Sequence, residues 1–262
     1  MSTAIVFAYH NVGVRCLSVL LAHGVDVVRV VTHRDSPSET IWFDSVAELA
    51  ALHDIPAITP GDPNDPAVLA ELAALQPDLL FSFYYRLMLK APLLALPRQG
   101  AWNMHGSLLP RYRGRVPVNW AIIHGERETG ATLHQMVEKP DAGGIVARQA
   151  VPVLPDDTAL DVFNKVTLAA EMALDRILPD LLAGRFGQGA LRVGREGGKD
   201  QQDEQEGRHG SPSLRQGSAP APGLSTRSFR VPIQGCSGAA APAPATVFQA
   251  RTCQRRTRPF ST

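Results

Sequence analysis

The sequence predicts an α/β protein: a doubly wound, mostly parallel sheet with a late antiparallel strand, followed by an irregular tail. Short β-branched runs alternate with stretches of helix-like apolar spacing from residue 4 to about 184, as in a parallel sheet covered on both faces. Near residue 140 the short turn "KPDAGG" joins two strand-like runs, too few residues for a parallel crossover. Beyond about residue 192 the apolar periodicity stops.

The elements follow in order. "AIVFAY" (4–9) reads as a first strand, and "HNVGVRCLSVLLAHG" behind it has helical spacing that stops at Gly24. "VDVVRVVTH" (25–33) is β-branched and forms the second strand. "SVAELAALHD" (45–54) and "DPAVLAELAALQ" (65–76) are helices, the second with Asp65 as cap and Pro66 in the first turn. "IPAIT" and "PDLLFSFYY" are strands between and after them, and "GAWNMH" (100–105) is the next. A loop, "GSLLPRYRGR", leads to a helix starting near Pro117. "TGATLHQMV" (129–137) alternates as a strand with Leu133 and His134 on opposite faces, and "IVARQAVPV" returns beside it as an antiparallel edge. Residues 158–184 form a long amphipathic helix capped by Asp157 or Thr158, ending near Gly184, with a bend or new turn expected at Pro179.

The 262 residues, 44% hydrophobic and 19% charged, suit a globular chain whose formal net charge is +1. That total hides an asymmetry. Residues 1–207 hold 18 Lys and Arg against 25 Asp and Glu, whereas residues 208–262 hold 8 Arg and no acid. A basic tail on an acidic body fits either attachment to nucleic acid or a tail that is not part of the folded unit; the acidic body itself speaks against nucleic acid as a partner. Cys16, Cys236 and Cys253 form neither a disulfide framework nor a metal cluster, and the histidines show no metal-ligand spacing. The opening residues lack a basic, apolar leader, and no run approaches the roughly 20 apolar residues of a spanning helix, so a cytoplasmic location is expected.

In a doubly wound sheet the site lies beyond the carboxyl ends of the strands. There the topology gathers "YHNVG", "FYYR", "NMHGS" and "EKPDAGG", and with them Asn103, His105 and Asp141. These three suit attack by an amine on an activated acyl group. An imidazole relays the proton, an amide donates to the oxygen that gains charge, and a carboxylate orients the imidazole or helps deprotonate the amine. Each also has a plain structural use, as a strand-end histidine or a turn former. Ser82 and Ser107 lack a nucleophile elbow, which favours direct transfer without a covalent intermediate. The glycine and arginines of "RYRGR" suit an anionic substrate or a solvated loop. Gly13 stands outside any G-x-G-x-x-G pattern, so a dinucleotide has little support.

"NMHGSLLPRYRGRVPVNWAIIHGERETGATLHQMVEKPDAGGIV" resembles the formyltransferases that use 10-formyltetrahydrofolate. The likeness runs from residue 2 to about 186 and implies that family's Rossmann-like fold. "VFAYHNVG", "THRDSP", "FSFYYR" and "HGSLLPRYRGRVPVNW" are most similar to the domains of polymyxin-resistance proteins that formylate UDP-4-amino-4-deoxy-L-arabinose for lipid A modification. Other nucleotide-sugar and methionyl-tRNA formyltransferases are the competitors, together with an inactive fragment that keeps only folate affinity. The resemblance implies that Asn103 binds the formyl oxygen, His105 handles the proton, and Asp141 holds or helps deprotonate the catalytic assembly. It also implies that Tyr84, Tyr85, Arg86, Ser107, Leu108 and Leu109 form the folate side. His10, Asn11, Arg113 and Arg115 are the candidates for a nucleotide-sugar substrate, and no metal is implied.

The resemblance puts a catalytic domain at 1–190 and leaves 191–262 as a degenerate or disordered tail, where the family continues into a small subdomain of strands. No decarboxylase or epimerase domain is recognisable. The arginine, proline and alanine content of the tail fits a GC-rich gene read in a shifted frame, which is a hypothesis. Resequencing the gene tests it: an insertion or deletion is expected near the codons for residues 190–200, and an intact frame there refutes it.

Overall fold

The computed structural model describes residues 1–185 apart from positions 37 and 39; the expected irregular tail lies outside the described residues. Six strands and a two-residue bridge build one sheet. They are β1 (Thr3–Ala8), β2 (Asp26–Val31), β3 (Ala57–Ile58), β4 (Leu79–Phe83), β5 (Ala101–His105), β6 (Glu128–Gln135) and β7 (Ile145–Pro152). The helices are α1 (His10–Ala22), α2 (Val46–Leu52), α3 (Pro66–Ala74), α4 (Ala91–Leu94), α5 (Pro117–Ile123) and α6 (Ala159–Leu182). The sheet order is β3-β2-β1-β4-β5-β6-β7, parallel as far as β5 and antiparallel over β6 and β7. The chain therefore starts at the sheet's middle, winds outward through β2 and β3, and crosses back to β4. This doubly wound path leaves a switch point between β1 and β4.

Side-chain alternation sorts the strands into two cores. Ala4, Val6, Ala8, Leu79, Phe81, Phe83, Trp102, Met104, Ala131 and Leu133 face α1, α2 and α6. Ile5, Phe7, Val31, Leu80 and Ala101 face Leu72 of α3 and Leu93 of α4. The second layer is the smaller, since α4 is a single turn that the sequence pattern had not indicated. On that face β5 and β6 carry Asn103, His105, Thr132 and His134 in place of apolar residues.

The local signals act as their chemistry requires. The Asp65 carboxylate accepts the Ala67 N–H at 2.8 Å, with Pro66 beginning α3. Thr158 caps α6 in a reciprocal box with Asp161. Asp157 instead pairs with Lys165 at 2.5 Å. Pro179 does not end α6, which continues to Leu182 and stops before Gly184 at φ 67°. A proline there removes one hydrogen bond in the final turns, while buried Leu178 and Leu181 keep that stretch on the sheet. No helix among the described residues is long and apolar enough to cross a membrane.

Leu174 is wholly buried on the inner face of α6, whereas Leu168 on the same helix is 53% exposed. Leu174→Ala is expected to cost about 2–5 kcal/mol by leaving a cavity. Leu168→Ala should stay within about 0.5 kcal/mol. Denaturant unfolding of the two variants checks the difference, and equal losses would contradict the packing of α6.

Candidate active site

The register of β5 against β6 builds the site. Asn103 and His105 are two residues apart and share a face; antiparallel pairing sets Asn103 opposite His134 and His105 opposite Thr132. The Asn103 Nδ2 amide reaches His134 Nε2 at 3.1 Å. His134 Nδ1–H donates to the Gln135 carbonyl at 2.9 Å, and its Nε2 faces both that amide and Asp141 Oδ1. An asparagine NH2 has two hydrogens, so one contact with His134 does not use both.

His105 is buried at the end of β5. Its Nε2 lies 2.7 Å from the Tyr112 carbonyl, which can only accept, so Nε2 carries the hydrogen. Nδ1, the lone-pair nitrogen of the neutral ring, faces Asp141 Oδ2 at 3.6 Å. Burial lowers the His105 pKa, against the pull of Asp141 and the Tyr112 hydrogen bond, which favour the cation. Neutral at rest, the ring can take a proton on Nδ1 and hold it beside a carboxylate.

Asp141 joins these groups. Its Oδ1 stands 3.4 Å from His134 Nε2, and Oδ2 accepts the Gly114 N–H at 2.8 Å. Burial alone would raise its pKa, but His134, His105 and the Gly114 amide bring it down to about 2. Its backbone is left-handed at φ 50°, which aspartate tolerates better than most residues. The next turn carries Gly143, where a Cβ would run into the Gln135 carbonyl, so only glycine lets the β6–β7 turn close this tightly.

The loop after β5 is fastened beneath His105. Thr132 Oγ1 donates to the Ser107 carbonyl at 2.6 Å and accepts the Leu109 N–H at 3.1 Å. Ser107 Oγ donates to the Arg111 carbonyl at 2.6 Å. Ser107 and Leu109 are buried and Leu108 half-buried. Arg113 is half-buried and Arg115 exposed, on either side of the Gly114 that binds Asp141.

The remaining expected residues divide between the two faces of the sheet. Tyr84, at φ 58°, interrupts the alternation of β4. It packs on the α1 and α6 side against Phe163, its hydroxyl where a Cβ on Gly106 would stand. Tyr85 packs on the opposite side, against Phe7 and His33. The Arg86 guanidinium lies 4.5 Å above the Tyr9 ring. His10 stacks on Phe43 at 3.9 Å, and Asn11 Oδ1 accepts the Asp44 N–H at 2.8 Å, tying the loop before α2 to α1. A cavity of about 320 Å³ lies between the β4 exit loop and the β6–β7 turn, lined by Met88, Leu89, Lys90, Ala91, Pro92 and Glu138. None of the three catalytic candidates lines it.

Sequence reasoning did not assign His134 a role; the signal was its place opposite Asn103, which needs the strand register. The Tyr112 carbonyl and Gly114 amide act through the backbone and left no residue-type signal.

An amide, two imidazoles and a carboxylate thus meet at the carboxyl edge of a doubly wound sheet. The chain belongs to the formyl transferase family, whose model matches residues 16–178 and so spans all three catalytic candidates. Among solved structures it is similar to glycinamide ribonucleotide transformylase 1 from Symbiobacterium toebii, at 25% identity and TM-score 0.58, over 72% of this chain and 89% of that one. A formyltetrahydrofolate deformylase from Pseudomonas syringae pv. tomato str. DC3000 matches at 26% identity and TM-score 0.59, over 70% of this chain and 62% of its own. An N-formyltransferase from Helicobacter canadensis, in complex with folinic acid and dTDP-3-aminofucose, shares the fold at 23% identity and TM-score 0.57, over 70% of this chain and 64% of that one.

Because Asp141 is held below its ordinary pKa, the unfolded chain takes up this proton first as pH falls. The stability it contributes is present above about pH 4 and lost toward pH 2. Its charge also raises the His105 pKa against burial. Asp141→Asn is therefore expected to move the His105 titration to lower pH, read by NMR of the imidazole. A rise, or no change, would remove the carboxylate from this role.

Proposed function

We propose that this chain transfers the formyl group of 10-formyltetrahydrofolate to the 4-amino group of UDP-4-amino-4-deoxy-L-arabinose, as the formyltransferase domain of the bifunctional polymyxin-resistance protein does. The observation that carries formyl transfer is the joined set Asn103, His134, Asp141 and His105, inside a matched formyl transferase region. The choice of acceptor rests on "VFAYHNVG", "THRDSP", "FSFYYR" and "HGSLLPRYRGRVPVNW".

The chemistry asks four things of the chain. The neutral acceptor amine attacks the formyl carbon; the new C–N bond forms and the bond from that carbon to the folate nitrogen breaks. Asn103 donates its second amide hydrogen to the formyl oxygen as that atom gains charge. His105 takes the amine's proton on Nδ1, with Asp141 stabilising the imidazolium, and returns a proton to the departing nitrogen. The loop fastened by Thr132 holds these groups in place.

The residues present suit a folate. Met88, Leu89 and Pro92 offer apolar walls for a flat ring, the Glu138 carboxylate can accept from ring N–H groups, and Lys90 offers a cation to a carboxylate tail. Tyr85 and Arg86 border the same exit loop. His10, Asn11, Arg113 and Arg115 remain for the sugar nucleotide.

Incubating the purified chain with 10-formyltetrahydrofolate and the amino-sugar nucleotide should release tetrahydrofolate and give the uncharged formamide. Glycinamide ribonucleotide, dTDP-3-aminofucose and methionyl-tRNA run beside it as competing acceptors. Preference for one of these would overturn the proposed acceptor, and folate release without any formamide would indicate hydrolysis. His105→Ala should reduce turnover by about 10²–10⁴-fold, with the fold checked by circular dichroism. Unchanged turnover would remove His105 from proton transfer.

A further inference from the structure

The exit loop of β4, which lines the proposed folate cavity, is held by two side chains from neighbouring loops. His33, just beyond β2, accepts the Arg86 N–H on Nε2 at 3.0 Å. Asn64, just before α3, works on both sides of the next stretch. Its Nδ2 donates to the Met88 carbonyl at 2.9 Å, and its Oδ1 accepts the Lys90 N–H at 2.8 Å. The two side chains thus grip the main chain at residues 86, 88 and 90, where no neighbouring strand continues the ladder.

Both grips are themselves braced. The His33 ring stacks on Tyr85 with centroids 4.1 Å apart and meets Tyr9 edge-on at 5.2 Å, which fixes its plane. Burial and the nearby Arg86 guanidinium push its pKa down to about 4; the ring is neutral near pH 7 and its Nε2 lone pair stays free to accept. Asn64 also donates to Asp62 Oδ1 at 2.9 Å, and the same oxygen accepts the Asn64 N–H at 2.9 Å. The amide therefore reaches the loop from a closed turn. A side chain that accepts from one residue and donates to another two positions away substitutes for a strand edge.

We propose that His33 and Asn64 are positioning residues that set the main-chain path of residues 86–90 and thereby the shape of the formyl-donor cleft. This rests on the folate reading given above. Neither residue touches the three catalytic side chains in the contacts described, so their effect falls on donor binding, while the reacting groups keep their geometry. A neutral acceptor is what the His33 position requires. Glutamine supplies one and alanine does not.

The test uses the full chain and folinic acid as probe, with binding followed by calorimetry and folding by thermal melting. His33→Ala and Asn64→Ala should each weaken folinic acid binding by about fivefold or more, the worth of one lost hydrogen bond. Binding of the amino-sugar nucleotide should be unchanged, and His33→Gln should recover most of the loss. In turnover assays the defect should appear in KM for the formyl donor, with kcat and the acceptor KM within about twofold. Variants that bind folinic acid as the wild type does would overturn the positioning role alone. Equal weakening of both ligands, or no recovery in His33→Gln, would mark a general structural effect and also overturn it. A wild-type chain that binds no folinic acid would overturn both this role and the folate reading beneath it.

Discussion

The antiparallel register between β5 and β6 is the constraint on which the site depends. Antiparallel strands place residues directly across from one another, and side chains of one strand alternate between faces. With Asn103 paired to His134, His105 must fall opposite Thr132. A slip of one residue would turn Trp102 and Met104 to the polar side and bury Asn103 and His105 against α6. The large apolar residues that fill the α6 face therefore hold Asn103 and His105 on the other. Core packing and site geometry are two consequences of one alternation.

That arrangement would be costly without the charges it collects. A buried carboxylate must be paired or hydrogen-bonded; Asp141 accepts the Gly114 N–H and has two imidazole rings within 3.6 Å. His105 is similarly constrained: a carbonyl takes its Nε2 hydrogen, so any proton it gains lies toward Asp141. Each polar group thus limits the protonation states open to its neighbour. The Asn103 amide meets His134 in the same way, so that ring fixes where the amide points.

Much of the fold was legible because its signals are local. Asp65 before Pro66, Thr158 before Asp161, and the two-residue alternation of β1 and β4 act within a few residues, and each takes the role its chemistry suggests. Asn103, His105 and Asp141 were legible as types placed at strand ends and a turn. Less local features were not. The single turn of α4 is too short to show a period, and Pro179 stops a helix only where packing does not outweigh one missing hydrogen bond. His134 looked like an ordinary strand residue because its importance lies in what stands opposite. Tyr84 and Tyr85 were both expected on the folate side, yet the positive φ at Tyr84 sends them into different cores.

Positive φ values also show how the carboxyl edge of the sheet is made. Tyr84, Tyr112, Val116 and Asp141 adopt left-handed backbone in the loops around the site, as does His10 at the start of α1, and Val116 is β-branched, for which this region is a true outlier. Such residues cost on the order of 1–3 kcal/mol each and persist only where surrounding contacts over-determine them. Here the contacts are identifiable. Tyr112 offers its carbonyl to His105 and its hydroxyl to Glu126, Asp141 takes the Gly114 amide, and Phe43 covers His10. The relaxed layers of the sheet thus hold loops that would not keep these shapes alone, and the strain lies in the loops at the carboxyl edge of the sheet.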